Sequence, residues 1–346
     1  EERVLISGVE EYPNASQIDS IPTNVQGWKE LFLNRPKAGK REEADNHGIA
    51  GRIMRDFLRL SRPDAKYLSV FDMGSNNLNY CLWDIQAREV IHKTWISTRL
   101  ARSVSDGRLP FHDLSSEIPA LKALLTCDAK LDSVKILLAT GIMRKAENAE
   151  ELLDKLSAGW KIRTKIISGK EEMRYAWYGA VEALKGRKSL IFDIGGSSTE
   201  LVWRTKTQGF AGVSLDLGLI SLAAQTDPGR SIEVALESVE ATGFEQIVGV
   251  GLTASLLASL IKRIPEAQIM EIDGIILSKD DLLGLCSDID NNRIVVSAAF
   301  NDDTQGLYTM KIAAEFALQI LDRFGACNFM VCNDGISVGY ARWKTK

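Results

Sequence analysis

The feature that most constrains this chain is a repeated unit. Phe71-Asp72-Met73-Gly74-Ser75-Asn76-Asn77 can be laid over Phe192-Asp193-Ile194-Gly195-Gly196-Ser197-Ser198, and each copy runs on into a segment carrying a tryptophan, Trp83 or Trp203. In both, an apolar run closes on an aspartate, a glycine turn follows, and a second strand-like run leads away. Two copies at a spacing far above that of a solenoid predict two related lobes rather than an array. A chain of 346 residues, 45% of them hydrophobic, is long enough to give each lobe its own core. The lobes would present their glycine turns to one another across a cleft. The pattern predicts strands through Phe71, through Trp83 and around residues 90–97, then helix and strand in alternation, and the same plan again from Ser189. The expected fold class is α/β, with mixed sheets flanked by helices, lobe I over residues 67–188 and lobe II over residues 189–346.

Residues 1–66 have a different character, punctuated by Pro13, Pro22, Pro36 and Pro63 and by a charged run over residues 37–43. They are expected to be an appended, partly helical segment. Within it Ile49, Ile53, Met54, Phe57, Leu58 and Leu60 recur at helical spacing, with Arg52, Arg55 and Arg59 on the other face. His47 precedes that helix and lacks the further His and Asp partners of a metal-dependent hydrolase motif, so it reads as a helix-flanking surface residue.

Each turn places an aspartate at the end of a buried strand, followed by glycine and small hydroxyl or amide residues. Backbone N–H groups can then converge on an anion with no bulky side chain intervening. Gly74, Ser75, Asn76 and Asn77 on one side, with Gly195, Gly196, Ser197 and Ser198 on the other, form the candidate phosphate cradle. One aspartate beside a phosphate is repulsive, whereas Asp72 and Asp193 facing a common phosphate are suitable ligands for Mg²⁺, directly or through water. A single such turn reads better as a hairpin satisfying its own backbone, and it is the matched pair that favours an anion. Neither turn has the Gly-x-Gly-x-x-Gly spacing before a helix that marks a dinucleotide fold, and a Gly-Lys-Ser or Gly-Lys-Thr phosphate loop is missing.

Other chemistries are poorly supplied. Five scattered cysteines without a Cys-x-x-Cys pair and only three histidines leave little for a zinc site. The cysteines are expected to be buried and reduced. A net charge of −4 gives no long-range attraction for nucleic acid, and a phosphate-rich substrate needs a locally positive site. No apolar run approaches the length that crosses a bilayer, and no export signal is evident, so a cytoplasmic protein without membrane partners is expected. Lys161, Arg163 and Lys165 alternate with Ile162, Thr164 and Ile166, which on a strand puts three cations on one face. Such a stripe reads either as a guarded sheet edge or as a track for a long polyanion.

Four motifs in order resemble the exopolyphosphatase and guanosine pentaphosphate phosphohydrolase (Ppx/GppA) family, within the actin, hexokinase and Hsp70-like superfamily. The first is Asp72-Met73-Gly74-Ser75-Asn76-Asn77 and the last Asp193-Ile194-Gly195-Gly196-Ser197-Ser198-Thr199-Glu200-Leu201. Between them, residues 139–148 resemble the segment bearing a phosphate-binding arginine, here Arg144, and residues 167–174 the segment carrying the catalytic glutamate, here Glu172. Leu217-Gly218-Leu219-Ile220-Ser221 matches a further block. The resemblance spans residues 67–340 and implies two actin-like, ribonuclease H-like lobes with the active site between them. It also implies Mg²⁺ as cofactor and polyphosphate or guanosine penta- and tetraphosphate as substrate. The chain departs from the pattern at Gly251-Leu252-Thr253, where the family often has Gly-Gly-Thr, and at Gly335-Ile336-Ser337-Val338-Gly339, where an arginine is replaced by Ser337. No long C-terminal helical domain of the kind some relatives carry is expected.

The expected activity is removal of terminal phosphate from polyphosphate or guanosine pentaphosphate, with Glu172 as general base at the start of a helix over residues 171–184. The duller role for Glu172 is to complement the N-terminal dipole of that helix, and for Arg144 a structural salt bridge. Two other functions compete. One is a catalytically weak protein that binds a phosphorylated nucleotide for regulation, and the other is a kinase of the same superfamily. A homodimer is left open.

Overall fold

The computed structural model describes residues 66–109, 118–205, 209–294 and 304–346, together with Gly51, Ile53 and Phe57. The helix expected over residues 48–60 lies almost wholly outside the described residues. The three that are described there are helical, and Ile53 is buried.

The first sheet holds β1 (Tyr67–Met73), β2 (Asn77–Asp84), β3 (Glu89–Ser97), β4 (Ser133–Ala139) and β5 (Arg163–Ile166). Helix α1 (Pro119–Asp128) falls between β3 and β4 in the chain, and α2 (Ala149–Trp160) between β4 and β5. The strand order is β3-β2-β1-β4-β5, antiparallel from β3 to β1 and parallel from β1 to β5. Helix α3 (Gly169–Leu184) leads to the second sheet. There β6 (Ser189–Ile194), β7 (Thr199–Thr205) and β8 (Gly209–Leu215) repeat the opening meander. After α4 (Leu219–Ala223) and α5 (Pro228–Glu237) comes β9 (Gln246–Val250), followed by α6 (Gly251–Lys262), β10 (Ile276–Ser278), α7 (Lys279–Asp290), α8 (Thr304–Arg323), β11 (Asn328–Cys332) and α9 (Ile336–Lys344). The order β8-β7-β6-β9-β11 repeats the first sheet strand for strand, and β10 adds one antiparallel edge. The duplication visible in the sequence is thus a duplication of topology.

All seven residues of β1 are buried, which is why it reads as an unbroken apolar run rather than an alternation. Each parallel strand next to a meander ends in a glycine with positive φ, Gly141 after β4 and Gly251 after β9. A Cβ on Gly141 would press on the Ser75 hydroxyl, and one on Gly251 would crowd the Asp193 carboxylate at 3.1 Å. Glycine is needed at both for conformation and for space.

By contact the chain groups into two compact units. Residues 112–131 cluster with residues 1–64 as one compact unit, while residues 65–111 and 132–346 form the other, which contains both sheets. Within the larger unit, the final helix of each copy packs on the opposite sheet. Ala176, Trp177, Ala180 and Leu184 of α3 bury against Ile191, Val202, Val248 and Val250 of the second sheet. Ile336, Val338, Tyr340 and Ala341 of α9 bury against Leu68, Val70, Cys81 and Trp83 of the first. The strands divide at residue 188, but the apolar faces of these helices are matched across it. The basic stripe also changes: Lys161 is the left-handed cap of α2, so only Arg163 and Lys165 belong to β5, and Lys165 is paired with Glu171 at 2.5 Å. Among the described cysteines Cys81, Cys127 and Cys332 are buried free thiols, while Cys327 is exposed. Among the described residues no helix is long and apolar enough to cross a membrane.

Helices α3 and α9 approach closely because glycines meet at the crossing. A Cβ on Gly339 would fall inside the van der Waals radius of the Tyr175 carbonyl, and one on Gly179 would collide with the carbonyl of Asp334. Gly339→Ala is therefore expected to lower unfolding free energy by about 1–3 kcal/mol in chemical denaturation. Gly159→Ala, on α2 where an added Cβ meets nothing within 4 Å, should instead be neutral or stabilise by up to about 1 kcal/mol.

Candidate active site

The two glycine turns close in the same way. Gly74 N–H donates to the Asn77 carbonyl at 2.9 Å, and Gly195 N–H donates to the Ser198 carbonyl, also at 2.9 Å. They meet directly: the Ser75 and Ser197 hydroxyls are 2.6 Å apart, and Ile142 N–H donates to the Ser75 hydroxyl at 3.1 Å. The Leu217-Gly218-Leu219-Ile220-Ser221 block has a local reason, since a Cβ on Gly218 would collide with the backbone of Gly196 and Ser197. Leu219 and Ile220 N–H groups then donate to the Gly195 and Gly196 carbonyls, fixing the second turn against α4.

A cavity of about 180 Å³ lies at these turns. Gly74, Ser75, Asn76, Asn77, Gly195, Gly196, Ser197 and Ser198 all line it, as do Asp72, Asp193 and Glu172. Of the residues expected from the sequence, Arg144 alone is missing from the lining. Its guanidinium is spent elsewhere, with Nη1 2.7 Å from Glu172 Oε1 and donating to the Ile167 carbonyl at 3.2 Å, and Nη2 donating to the Ser198 hydroxyl at 3.1 Å. Arg144 thus reaches the cavity through its contacts with Glu172 and Ser198, both of which line it.

Glu172 is delivered by the start of α3. Ser168 and Glu171 form a reciprocal capping box there, so the capping role considered for Glu172 is filled by its neighbour. One residue on, about 100° around the helix, Glu172 turns inward and is 2% exposed. One oxygen is held by Arg144, and the other, Oε2, is buried with no fixed donor, the carboxyl as a whole lying within hydrogen-bonding reach of Glu200 when that group carries its proton. Asp72 Oδ1 is buried and unpartnered, while Asp72 Oδ2 accepts from Asn79 Nδ2 at 3.1 Å. Orphaned buried carboxylate oxygens are costly unless something else satisfies them.

The duplicated register exposes an asymmetry that sequence reading missed. Asp72 lies opposite Asn79 across β1 and β2, and Asp193 lies opposite Glu200 across β6 and β7. Directly opposed residues share a face, so the first pair is a hydrogen bond and the second is two carboxyls. Glu200 is 3% exposed, accepts from the Ser214 hydroxyl at 2.7 Å, and lines the cavity. Extending the overlay of the two motifs to their seventh residue beyond the aspartate would have found it. Lys93 also lines the cavity, but from the middle of β3, where no motif marks it.

Three of the four carboxyls that line the cavity, Asp72, Asp193 and Glu200, titrate above the ordinary carboxyl range. Burial pushes Asp72 up to about 7, opposed by the Asn79 amide and reinforced by the charge of Glu172. Asp193 is pushed up to about 8, by burial first and then by the charges of Asp72 and Glu172. Burial, and after it Glu172 and Asp193, carry Glu200 well above the ordinary carboxyl range. The donor set is all oxygen, which fits a hard cation and not zinc. Among the described residues, no three His, Cys, Asp or Glu side chains stand close enough to complete a ligand set alone. Such a cation would take most of its ligands from water or from substrate oxygens, as Mg²⁺ commonly does.

Two sheets of one topology, with matched glycine turns meeting at an acid-lined cavity, define a two-lobed α/β fold. Among known proteins, residues 86–242 match the model of the Ppx/GppA phosphatase family. The fold is similar to that of the Aquifex aeolicus PPX-GPPA enzyme, at 23% identity over 81% of this chain and 99% of that one, with a TM-score of 0.65. A separately determined crystal structure of the Aquifex aeolicus family member gives 22% identity over 81% and 97%, with a TM-score of 0.64. An exopolyphosphatase from Cytophaga hutchinsonii matches at 18% identity over 81% and 97%, with a TM-score of 0.65.

The raised carboxyls carry a consequence for stability. An unfolded Asp loses its proton near 3.8, whereas folded Asp72 and Asp193 keep theirs to about 7 and about 8. The stability these protons bring is complete below pH 3.8 and is lost as pH rises through 7 and 8. In metal-free buffer the melting temperature should therefore fall between roughly pH 5.5 and 8.5. Asp193→Asn should flatten that slope, as read by thermal melts across the same range.

Proposed function

We propose that the chain is a Mg²⁺-dependent phosphohydrolase that releases the terminal phosphate from inorganic polyphosphate or guanosine pentaphosphate. The observation that carries this reading is Glu172, buried between two matched glycine turns with one carboxylate oxygen lacking a fixed donor and its helix capped by another residue. Hydrolysis of a phosphoanhydride asks for positioning and charge stabilisation more than for covalent chemistry from the protein. The turn N–H groups and the hydroxyls of Ser75, Ser197 and Ser198 would hold the terminal phosphoryl group. Arg144 fixes the Glu172 carboxylate through Oε1, leaving Oε2 to accept the proton of the attacking water. Asp72 and Asp193 would hold Mg²⁺, with Glu200 behind Asp193. When bound, the ion would neutralise these carboxyls and draw charge from the phosphoryl oxygens.

A catalytically weak nucleotide-binding protein is the second reading. It is favoured by Ser337, which lines the cavity where the family commonly has an arginine. The two part on turnover: binding of polyphosphate with no release of orthophosphate would select the second.

Glu172→Gln keeps size and hydrogen-bonding capacity, so substrate binding should survive while kcat falls by roughly two to four orders of magnitude. A folded, substrate-binding variant whose kcat stays within a few-fold of wild type would sink the assignment of the general base. Asp193→Asn should raise the Mg²⁺ concentration required for half-maximal phosphate release. Unchanged activity of that variant at every Mg²⁺ concentration would remove Asp193 from the metal site.

A further inference from the structure

The cavity that would receive a polyanion is lined by four carboxyls, and Lys93 is the one lysine or arginine among its described lining residues. Its side chain is 18% exposed, with Nζ 2.7 Å from Asp334 Oδ1. Asp334 does not depend on that contact. Its other oxygen, Oδ2, accepts from Arg342 Nη2 at 2.9 Å, and Arg342 is anchored in turn by donating to the Gly179 carbonyl. An aspartate between two cations can release one without becoming an uncompensated buried charge, which is the costly outcome when a buried pair is broken. Lysine suits the exchange, being a compact charge on a flexible stem.

Position along the strand says which part of a ligand Lys93 can serve. Ser97, at the end of β3, pairs with Asn77 of the first turn, and Lys93 lies four residues away from it. That is a rise of roughly 13 Å along the strand. Lys93 therefore enters the cavity away from the phosphoryl group cradled by the turns. It enters beside the segment from Asp334 through Ser337, where Gly335, Ile336 and Ser337 are themselves lining residues.

We propose that Lys93 is a substrate-binding residue for an extended phosphoanhydride chain. It exchanges Asp334 for a phosphoryl group beyond the terminal one, while Arg342 retains Asp334. The inference rests on the phosphohydrolase reading above and adds to it a subsite that selects chains over single phosphates. A purely structural latch between β3 and the Asp334 loop makes the opposite prediction for Asp334, because either partner's removal would then have the same effect.

The test is calorimetric binding of tripolyphosphate and of orthophosphate, with Mg²⁺, to the full chain carrying Glu172→Gln so that nothing is turned over. Adding Lys93→Met should weaken tripolyphosphate about ten- to a hundredfold, the range for a lost charged hydrogen bond, and leave orthophosphate within about twofold. Lys93→Arg should retain most of the affinity, and thermal melts establish that each variant is folded. Asp334→Asn should bind tripolyphosphate as well as its parent or more tightly. Equal losses from Lys93→Met and Asp334→Asn, or no loss from Lys93→Met, would overturn the proposal. If the parent binds neither ligand, the functional reading fails and the subsite with it, an outcome distinct from a parent that binds while Lys93→Met is silent.

Discussion

The crossing of α3 over α9 is the constraint on which the site depends. Each helix leaves one copy of the repeated unit and buries its apolar face on the sheet of the other. At the crossing, Gly179 and Gly339 allow backbone to approach backbone with no side chain between. The functional consequence sits at the helix starts: Glu172, the fourth residue of α3, turns into the cavity, and α9 opens at Ile336 and Ser337, which line it. Moving either helix to make room for one methyl group would move a wall of the cavity.

Against that rigid frame the electrostatics are asymmetric by a single substitution between the copies. Asn79 in the first unit and Glu200 in the second hold the same register position opposite the strand-ending aspartate. In the first pair Asn79 donates to one oxygen of Asp72, while the second adds a carboxyl to a cavity already holding Asp72, Asp193 and Glu172. Burying that many acids without matching cations works against stability, since Arg144 is the one arginine bound to them and it holds only Glu172. On the proposed function, a cavity lined in this way would be complementary to positive charge that arrives with the ligand.

Much of this was legible in the sequence, and the limits are physical. Repetition gave away the two lobes because a strand, a glycine turn and a strand leave a local signature, and the turn residues appear where the overlay put them. Glu172 was legible as well, through the Ser168-Gly169 helix start. Contacts between distant elements were not. Nothing near Arg144 in sequence shows that its donors would be taken by Glu172, Ser198 and the Ile167 carbonyl. Lys93 sits in an ordinary alternating strand, and its partner Asp334 is 241 residues away. The swap of α3 and α9 between sheets was equally hidden, because an amphipathic helix declares that it has an apolar face and not which sheet will cover it.

The ties between the two sheets fall into two kinds. Where the helices cross they are apolar, dry and close-packed, and cannot be exchanged for solvent without loss of core. Elsewhere they are polar: the Ser75 and Ser197 hydroxyls and Arg144 with Ser198 at the turns, Lys93 with Asp334 farther along β3, and Lys145 with Asp216 at 2.5 Å. The last pair is largely exposed and contributes about 0–1 kcal/mol at most. A hydroxyl pair can be traded for phosphate oxygens with no hydrogen bond lost, because each hydroxyl is both donor and acceptor. On the proposed function the division has a purpose, since the crossing would persist through every cycle of binding while the mouth would give up its contacts to the entering anion.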